Sequence, residues 1–318
     1  MTSHEQLQSA VAGLRFQNPI VLASGTAGFG KELARVVDLD TLGGLTTKAV
    51  SVEPREGNPA PRVAELEKGM INAVGLANPG LERVKTEYLP WLAMHLPHTR
   101  KIVNVVGNTA EEFATVVREL DIASVASTQG AGAIDALELN VSCPNVKAGG
   151  LEFGADPKSL RSVIALARSA TARPLFVKLS PTLPNLPDAA RIAVDAGADG
   201  LTLVNTIPGL AIDVERRRPV LGFGSGGVSG PGLLPVGVLA VWRVAQAVSV
   251  PIIGVGGVSS ATDALQYLIA GASLVGIGTA ALRDPRLPTR IVRDLGEWCT
   301  RHGVRSIAEI VGSLEWQT

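Results

Sequence analysis

Apolar runs at 20–23, 44–48, 101–106, 136–141, 175–179, 200–205, 252–255 and 274–278 punctuate the chain, each short and with little alternation between apolar and polar positions. Strands covered on both faces read this way, so the runs predict a buried parallel sheet. Between them the apolar spacing turns helical. Asp156-Pro157 reads as an N-cap followed by proline at the first helical position, and Leu160, Val163, Ile164 and Ala167 then share one face. A further helix brings Leu186, Ala189, Ala190, Ala193 and Val194 to one face and stops at Gly197, a residue suited to the left-handed position past a helix end.

The order strand, loop, helix repeats. Pro174-Leu175-Phe176-Val177-Lys178 leads through a helix to Gly197-Ala198 and the next strand, and Pro251-Ile252-Ile253-Gly254-Val255 leads likewise to Gly271-Ala272. Eight strands in such units predict the α/β class and a (β/α)8 TIM barrel, with one domain over 1–318 and a short N-terminal extension. An open Rossmann sheet is disfavoured because no Gly-x-Gly-x-x-Gly opens a helix after the first strand. Two connections, 50–100 and 206–235, are unusually long and follow strands on the side where barrel chemistry sits. Their glycine, asparagine and proline content predicts ordered lids, with simple insertions as the alternative.

Composition narrows the function classes. Twenty-nine basic residues balance 29 acidic ones, so no net field draws the chain to nucleic acid or an anionic membrane. Arg216–Arg218 is the only basic cluster and reads as a solvated loop. No apolar stretch is long enough to span a bilayer, and no charged segment followed by an apolar core marks a signal peptide at the N-terminus. Two cysteines, Cys143 and Cys299, cannot hold a structural zinc or an iron–sulfur cluster alone and suit a reducing cytoplasm. Cys299 falls within an expected terminal helix and reads as structural.

The candidate chemistry gathers at strand ends. Asn140-Val141-Ser142-Cys143-Pro144-Asn145 follows the fourth strand and sets a thiol between two carboxamides. A cysteine there can act as nucleophile, base or metal ligand once it is a thiolate; the alternative is a small buried hydrophobe. Ser24 follows the first strand, Lys48 ends the second, Asn104 lies in the third, Lys178 closes the fifth and Asn205-Thr206 the sixth. So many inward polar groups cannot all be core packing, because each would need a buried partner. Gly256-Gly257 after the seventh strand and Gly278-Thr279 after the eighth mark the usual barrel phosphate site. Together with two lysines over the mouth they point to flavin mononucleotide (FMN).

The chain resembles the class 1 dihydroorotate dehydrogenases, most of all the class 1B catalytic subunit. The resemblance rests on Ala23-Ser24-Gly25, Thr47-Lys48, Gly57-Asn58-Pro59, the segment Gly69 to Gly80, Leu139 to Lys147, Val177 to Pro181, Ala196 to Gly200, Val204-Asn205-Thr206, Ser229-Gly230-Pro231, Gly254 to Gly257 and Gly278-Thr279. These run in order over nearly the whole chain. Two departures stand out: the loop 222–227 is richer in glycine, and 124–132 reads as a small insertion before the fourth strand.

The resemblance implies oxidation of dihydroorotate to orotate in pyrimidine biosynthesis. It makes Cys143 the base that takes the C5 proton. It places Ser24, Lys48, Ala49, Asn104, Asn140, Lys178 and Val204 at the flavin, and Gly230, Gly256, Gly257, Gly278 and Thr279 at its phosphate. Lys48, Asn72, Gly75, Leu76, Asn140, Asn145, Asn205 and Thr206 would hold the substrate. It implies a homodimer joined to a subunit carrying FAD and a 2Fe-2S cluster, with NAD as final acceptor. Alternatives are a stand-alone fumarate-linked class 1A enzyme, a dihydropyrimidine dehydrogenase-type barrel, and a flavin-free phosphate-binding barrel. Class 2 relatives use serine as base and carry an N-terminal membrane helix, and this chain has neither feature. Gly150 to Gly154 favours class 1B by resemblance.

Overall fold

A computed structural model describes residues 3–126, 132–142, 144–145 and 151–316. Eight parallel strands close into a barrel: β1 Ile20–Leu22, β2 Gly44–Thr46, β3 Arg100–Val105, β4 Ala136–Asn140, β5 Leu175–Leu179, β6 Gly200–Leu203, β7 Ile252–Val255 and β8 Leu274–Ile277. Each pairs with its neighbours in chain order, and β8 pairs with β1 through Val275–Ile20, Gly276–Val21 and Ile277–Leu22. All eight strands fall where the apolar runs predict them, and the ladders stop one or two residues short of several runs. Those last positions are loop, and Lys48 and Asn205 sit there.

Helices cover the barrel: α1 Ala110–Ala126, α2 Pro157–Ser169, α3 Leu186–Asp195, α4 Leu234–Ala245, α5 Ala261–Ala270 and α6 Leu287–Arg301. Asp156 caps α2 by accepting from the Ser159 N–H at 2.8 Å, and Leu160, Val163, Ile164 and Ala167 are all buried. In α3 the predicted face is buried except for the partly covered Val194, and Gly197 follows at φ +108°. Cys299 is fully buried in α6. Of the segment read as a small insertion, Ser124 lies in the last turns of α1, fully buried, and its Oγ accepts from the Ile134 N–H. The rest of that segment, 127–131, lies outside the described residues.

The barrel interior separates into two layers. Val21, Ile102, Ala136, Phe176, Ile253 and Leu274 form an apolar plug with Val11 and Phe16 of an N-terminal hairpin, Ser9–Val11 paired with Leu14–Phe16. The hairpin closes the end where the strands begin, since Arg100, first residue of β3, donates from Nε to the Arg15 carbonyl. Two residues further along β3, β4 and β5 the period-two alternation points the next side chain inward again, and there the sequence supplies Asn104, Glu138 and Lys178. With Thr46 of β2 and Thr202 of β6 they are all buried, while β1 and β7 continue with the apolar Ala23 and Val255.

The two long connections join in space. Val63–Leu66, Gly69–Asn72, Gly226–Ser229 and Ile207–Gly209 form one antiparallel sheet of four strands, drawn from the connections after β2 and β6. Its glycines explain the glycine-rich loop. A Cβ at Gly227 would lie 2.0 Å from Thr206 Oγ1, one at Gly226 2.4 Å from the Asn72 carbonyl oxygen, and one at Gly222 2.3 Å from the Ala60 carbonyl oxygen. Arg216, Arg217 and Arg218 are exposed, as a solvated loop requires.

Candidate active site

The inner polar residues form a continuous arc around the carboxyl ends of β1 to β6. Ser24 Oγ donates to the Thr47 carbonyl at 2.8 Å. Thr47 is fully buried, and its Oγ1 accepts from the Asn104 N–H at 3.3 Å. Asn104 Nδ2 donates to Glu138 Oε1 at 2.7 Å, and Thr202 Oγ1 donates to Glu138 Oε2 at 2.7 Å. Asn205 Nδ2 donates to Asn140 Oδ1 at 3.4 Å, so two predicted substrate amides lie side by side across β4 and β6. Lys178 sits between them in register, paired on β5 with Asn140 and Thr202.

Two cations serve this arc differently. Lys178 is 7% exposed, and among the described residues no hydrogen bond or ion pair engages its ammonium. Lys48 is half-buried at the mouth; burial and the Arg62 guanidinium hold its pKa below the usual lysine value, partly offset by Glu32. Ala49, next to Lys48, and Val204, next to Asn205, are buried.

The loops after β7 and β8 supply backbone rather than side chains. Gly256 and Gly257 take φ +129° and +74°. A Cβ at Gly257 would fall 2.4 Å from the Leu234 nitrogen, so the loop packs directly on the start of α4. Tyr267 of α5, fully buried, donates its hydroxyl to the Gly256 carbonyl at 2.8 Å and fixes the loop from below. Burial pushes the pKa of that hydroxyl far up, which keeps it a donor. Thr279 Oγ1, after Gly278, donates to Ser229 Oγ at 2.7 Å and ties the β8 loop to the lid sheet. Gly230 adjoins this contact and packs on Gly69, where a Cβ would lie 2.5 Å from Cα.

The lid brings the remaining predicted residues. Asn72 Nδ2 donates to the Gly227 carbonyl at 3.2 Å across the lid sheet. Gly75 and Leu76 both take positive φ, +72° and +57°. Buried Asn78 holds this turn: Oδ1 accepts from the Ser51 and Gly80 N–H groups, and Nδ2 donates to the Leu76 carbonyl. Thr206 N–H donates to Asn205 Oδ1 at 2.9 Å. Cys143 lies outside the described residues, as does the side chain of Asn145. Pro144–Asn145 pairs antiparallel with Leu151–Glu152. Burial holds the Glu152 carboxyl above its usual range, countered by a hydrogen bond with Ser180.

Glu138, Thr202, Asn78 and Tyr267 were not among the residues singled out from sequence. For Glu138 a signal existed: it sits two positions before Asn140 in an apolar run, and period two puts both inside the barrel. Asn78 lies within the segment that carries the resemblance. Nothing local marks Tyr267.

A closed parallel barrel whose strand ends carry lysines and carboxamides, with glycine-built loops after the last two strands, defines a (β/α)8-barrel enzyme with a polar mouth. Comparison with known proteins narrows this. A sequence model described as dihydroorotate dehydrogenase matches residues 6–298. The chain belongs to the dihydroorotate dehydrogenase family. It is 45% identical over 309 residues to a protein of Geotalea uraniireducens, covering 97% of this chain and 98% of the relative. It is 46% identical over 306 residues to one of Pelobacter propionicus (96% and 97% covered) and 46% identical over 304 residues to one of Desulforudis audaxviator (96% of each). All three are named dihydroorotate dehydrogenase B (NAD(+)), catalytic subunit.

The family implies a flavin, and the residues present fit one. Asn104 is fully buried, and among the described residues its Oδ1 accepts no hydrogen bond, so it calls for a ligand N–H. Lys178 is a buried cation without an anion, which suits a ring that gains negative charge when reduced. Among the described residues no cluster of three or more His, Cys, Asp or Glu could hold a metal ion, and no helix is long and apolar enough to cross a membrane.

Proposed function

We propose that the chain oxidises dihydroorotate to orotate with bound FMN and hands the electrons to a partner subunit carrying FAD and a 2Fe-2S cluster, which reduces NAD. The observation that carries this is the arc from Ser24 to Asn205, where among the described residues the buried Lys178 ammonium and the Asn104 side-chain carbonyl have no partner, in a chain similar along nearly its whole length to relatives bearing that name. The words "catalytic subunit" in those names support a second subunit, in a heterotetramer built on a homodimer acting in the cytoplasm.

Dihydroorotate loses a hydride from C6 and a proton from C5. Bound flavin supplies the hydride acceptor, its N5 atom. Cys143 takes the proton as thiolate; its ordinary pKa of about 8.5 lies close to working pH, as a general base requires. Lys178 lies where negative charge gathers on reduction and stabilises it. Asn72, Asn140, Asn145 and Asn205 hold the ring amides and carboxylate, because a carboxamide both donates and accepts. Lys48 reaches flavin and substrate, and Gly75, Leu76 and Thr206 complete the substrate pocket. Ser24, Ala49, Asn104, Asn140 and Val204 contact the flavin. Gly230, Gly256, Gly257, Gly278 and Thr279 receive its phosphate through backbone N–H groups and one hydroxyl. The lid sheet excludes water from this chamber.

Freshly purified protein is expected to show a flavin absorption spectrum, with FMN released on denaturation. A chain that stays colourless after incubation with FMN would refute the reading. Turnover with NAD is expected only when the partner subunit is added. A lid variant tests the pocket separately. In Gly227→Ala the new Cβ meets Thr206 Oγ1, and overpacking of this kind costs about 1–3 kcal/mol. Orotate affinity, read by titrating the flavin spectrum, is expected to fall roughly tenfold, equivalent to about 1.4 kcal/mol. Flavin retention is expected to be unchanged, since no flavin contact is assigned to Gly227.

A further inference from the structure

Glu138 is a buried carboxylate in the middle of the arc, 2% exposed, and none of the roles above uses it. Both its oxygens are engaged by neutral donors, Asn104 Nδ2 and Thr202 Oγ1, each at 2.7 Å. Among the described residues no cation pairs with it. A carboxylate offers acceptors only, so it dictates which end of the Asn104 amide faces it. The NH2 group must turn to Glu138, and the carbonyl oxygen must turn away. That oxygen is the buried side-chain atom of Asn104 with no partner. The backbone cannot relax the arrangement, because Asn104 N–H is held by Thr47 Oγ1 and its carbonyl accepts from the Val50 N–H at 2.9 Å.

We infer that Glu138 is a positioning residue: it locks the Asn104 amide with its oxygen toward the mouth, so that Asn104 accepts a hydrogen bond from an imide-type N–H of the bound ring. A free asparagine amide could face a ring carbonyl as readily as a ring N–H. The lock removes that choice and selects rings that present an N–H there. Such an N–H, flanked by carbonyls, occurs in the pyrimidine-dione portion of oxidised flavin and again in dihydroorotate and orotate. The inference rests on the functional reading above. It goes beyond that reading in assigning an orientation to Asn104 and a cause for it. The buried carboxylate is retained at the cost of desolvation, and the cost is met because both oxygens are hydrogen-bonded.

The test is a double-mutant cycle on the full chain, stripped of flavin and titrated with FMN by fluorescence quenching, then loaded with FMN and titrated with orotate. Glu138→Ala is expected to weaken one of these two affinities about tenfold or more, the order of a hydrogen bond to a buried group. Glu138→Gln is expected to recover most of the loss, since its Oε1 still accepts from Asn104 while its NH2 meets the Thr202 hydroxyl. Asn104→Ala is expected to lose about as much as Glu138→Ala, and the double variant no more than roughly threefold beyond Asn104→Ala, because residues acting through one contact are not additive. Loss confined to FMN assigns the N–H to the cofactor, and loss confined to orotate assigns it to the substrate; either supports the lock.

Wild-type affinities in Glu138→Ala, or a full additional loss in the Asn104→Ala background, would overturn it, the second result marking Glu138 as a support of the barrel alone. Failure of the wild type to bind FMN would instead strike the functional reading, and it is told apart because no substitution is involved. If Glu138→Ala does not fold, Glu138→Met fills the space without an oxygen acceptor and takes its place in the cycle.

Discussion

Cys143→Ala is expected to bind FMN and orotate and yet reduce its flavin with dihydroorotate at least about a hundredfold more slowly than wild type, the usual worth of positioned proton transfer. A factor of that size corresponds to about 2.7 kcal/mol of transition-state stabilisation. Binding survives because the carboxamides across β4 and β6, Asn140 and Asn205, are in place without the thiol. Cys143→Ser is expected to keep part of the activity with its optimum moved to higher pH, since a hydroxyl is a far weaker acid than a thiol and little alkoxide exists at neutral pH. Anaerobic stopped-flow mixing measures this half-reaction independently of the electron acceptor. Reduction by Cys143→Ala at close to the wild-type rate would move proton removal to another group.

The second large effect is expected at Lys178. Lys178 is 7% exposed, and its ammonium has no anion among the described residues. Removing it in Lys178→Ala takes away the nearest assigned cation from a ring whose reduced form is anionic. The reduction potential of the bound flavin is expected to fall by on the order of 30 mV or more, about 1.4 kcal/mol for a two-electron couple. Flavin reduction is expected to slow more than orotate affinity weakens, because the charge develops during the reaction and not on binding. Spectroelectrochemical titration decides the matter: an unchanged potential places Lys178 away from the ring.

The barrel strands were legible because parallel strands under helices carry continuous apolar runs that need no partner to be recognised. Their ends were read one or two residues long at Ala23, Lys48, Val106, Val141, Asn205 and Gly278, because composition does not say where a hydrogen-bond ladder stops. Lys48 and Asn205 sit at such overrun positions, and Asn104, Asn140 and Lys178 lie inside the ladders; polar residues in apolar company marked both. The lid sheet was foreseen only as ordered loops. Its strands are three or four residues long, two of them glycine-rich, and the pairing that joins its halves, Gly69–Asn72 with Gly226–Ser229, spans more than a hundred residues of sequence, so no local pattern announces the sheet. Glu138 shows the opposite failure. Its position was legible from alternation with Asn140, but its purpose depends on Asn104 and Thr202 from neighbouring strands, a relation only the closed barrel creates.

The lid also bears on how such a chain can be recombined. Because Gly69–Asn72 and Gly226–Ser229 are ladder partners, register by register, with Gly227 opposite Asn72, the two insertions form a single heritable unit although the barrel strands β3 to β6 are encoded between them. Glycines 222, 226 and 227 are shaped to the backbone and side chains of Ala60, Asn72 and Thr206. A chimera that takes one insertion from a relative and keeps the other mismatches this seam, while exchanging both together preserves it. Crossover points between β3 and β5 split the unit, and crossover points before residue 50 or after residue 235 leave it whole.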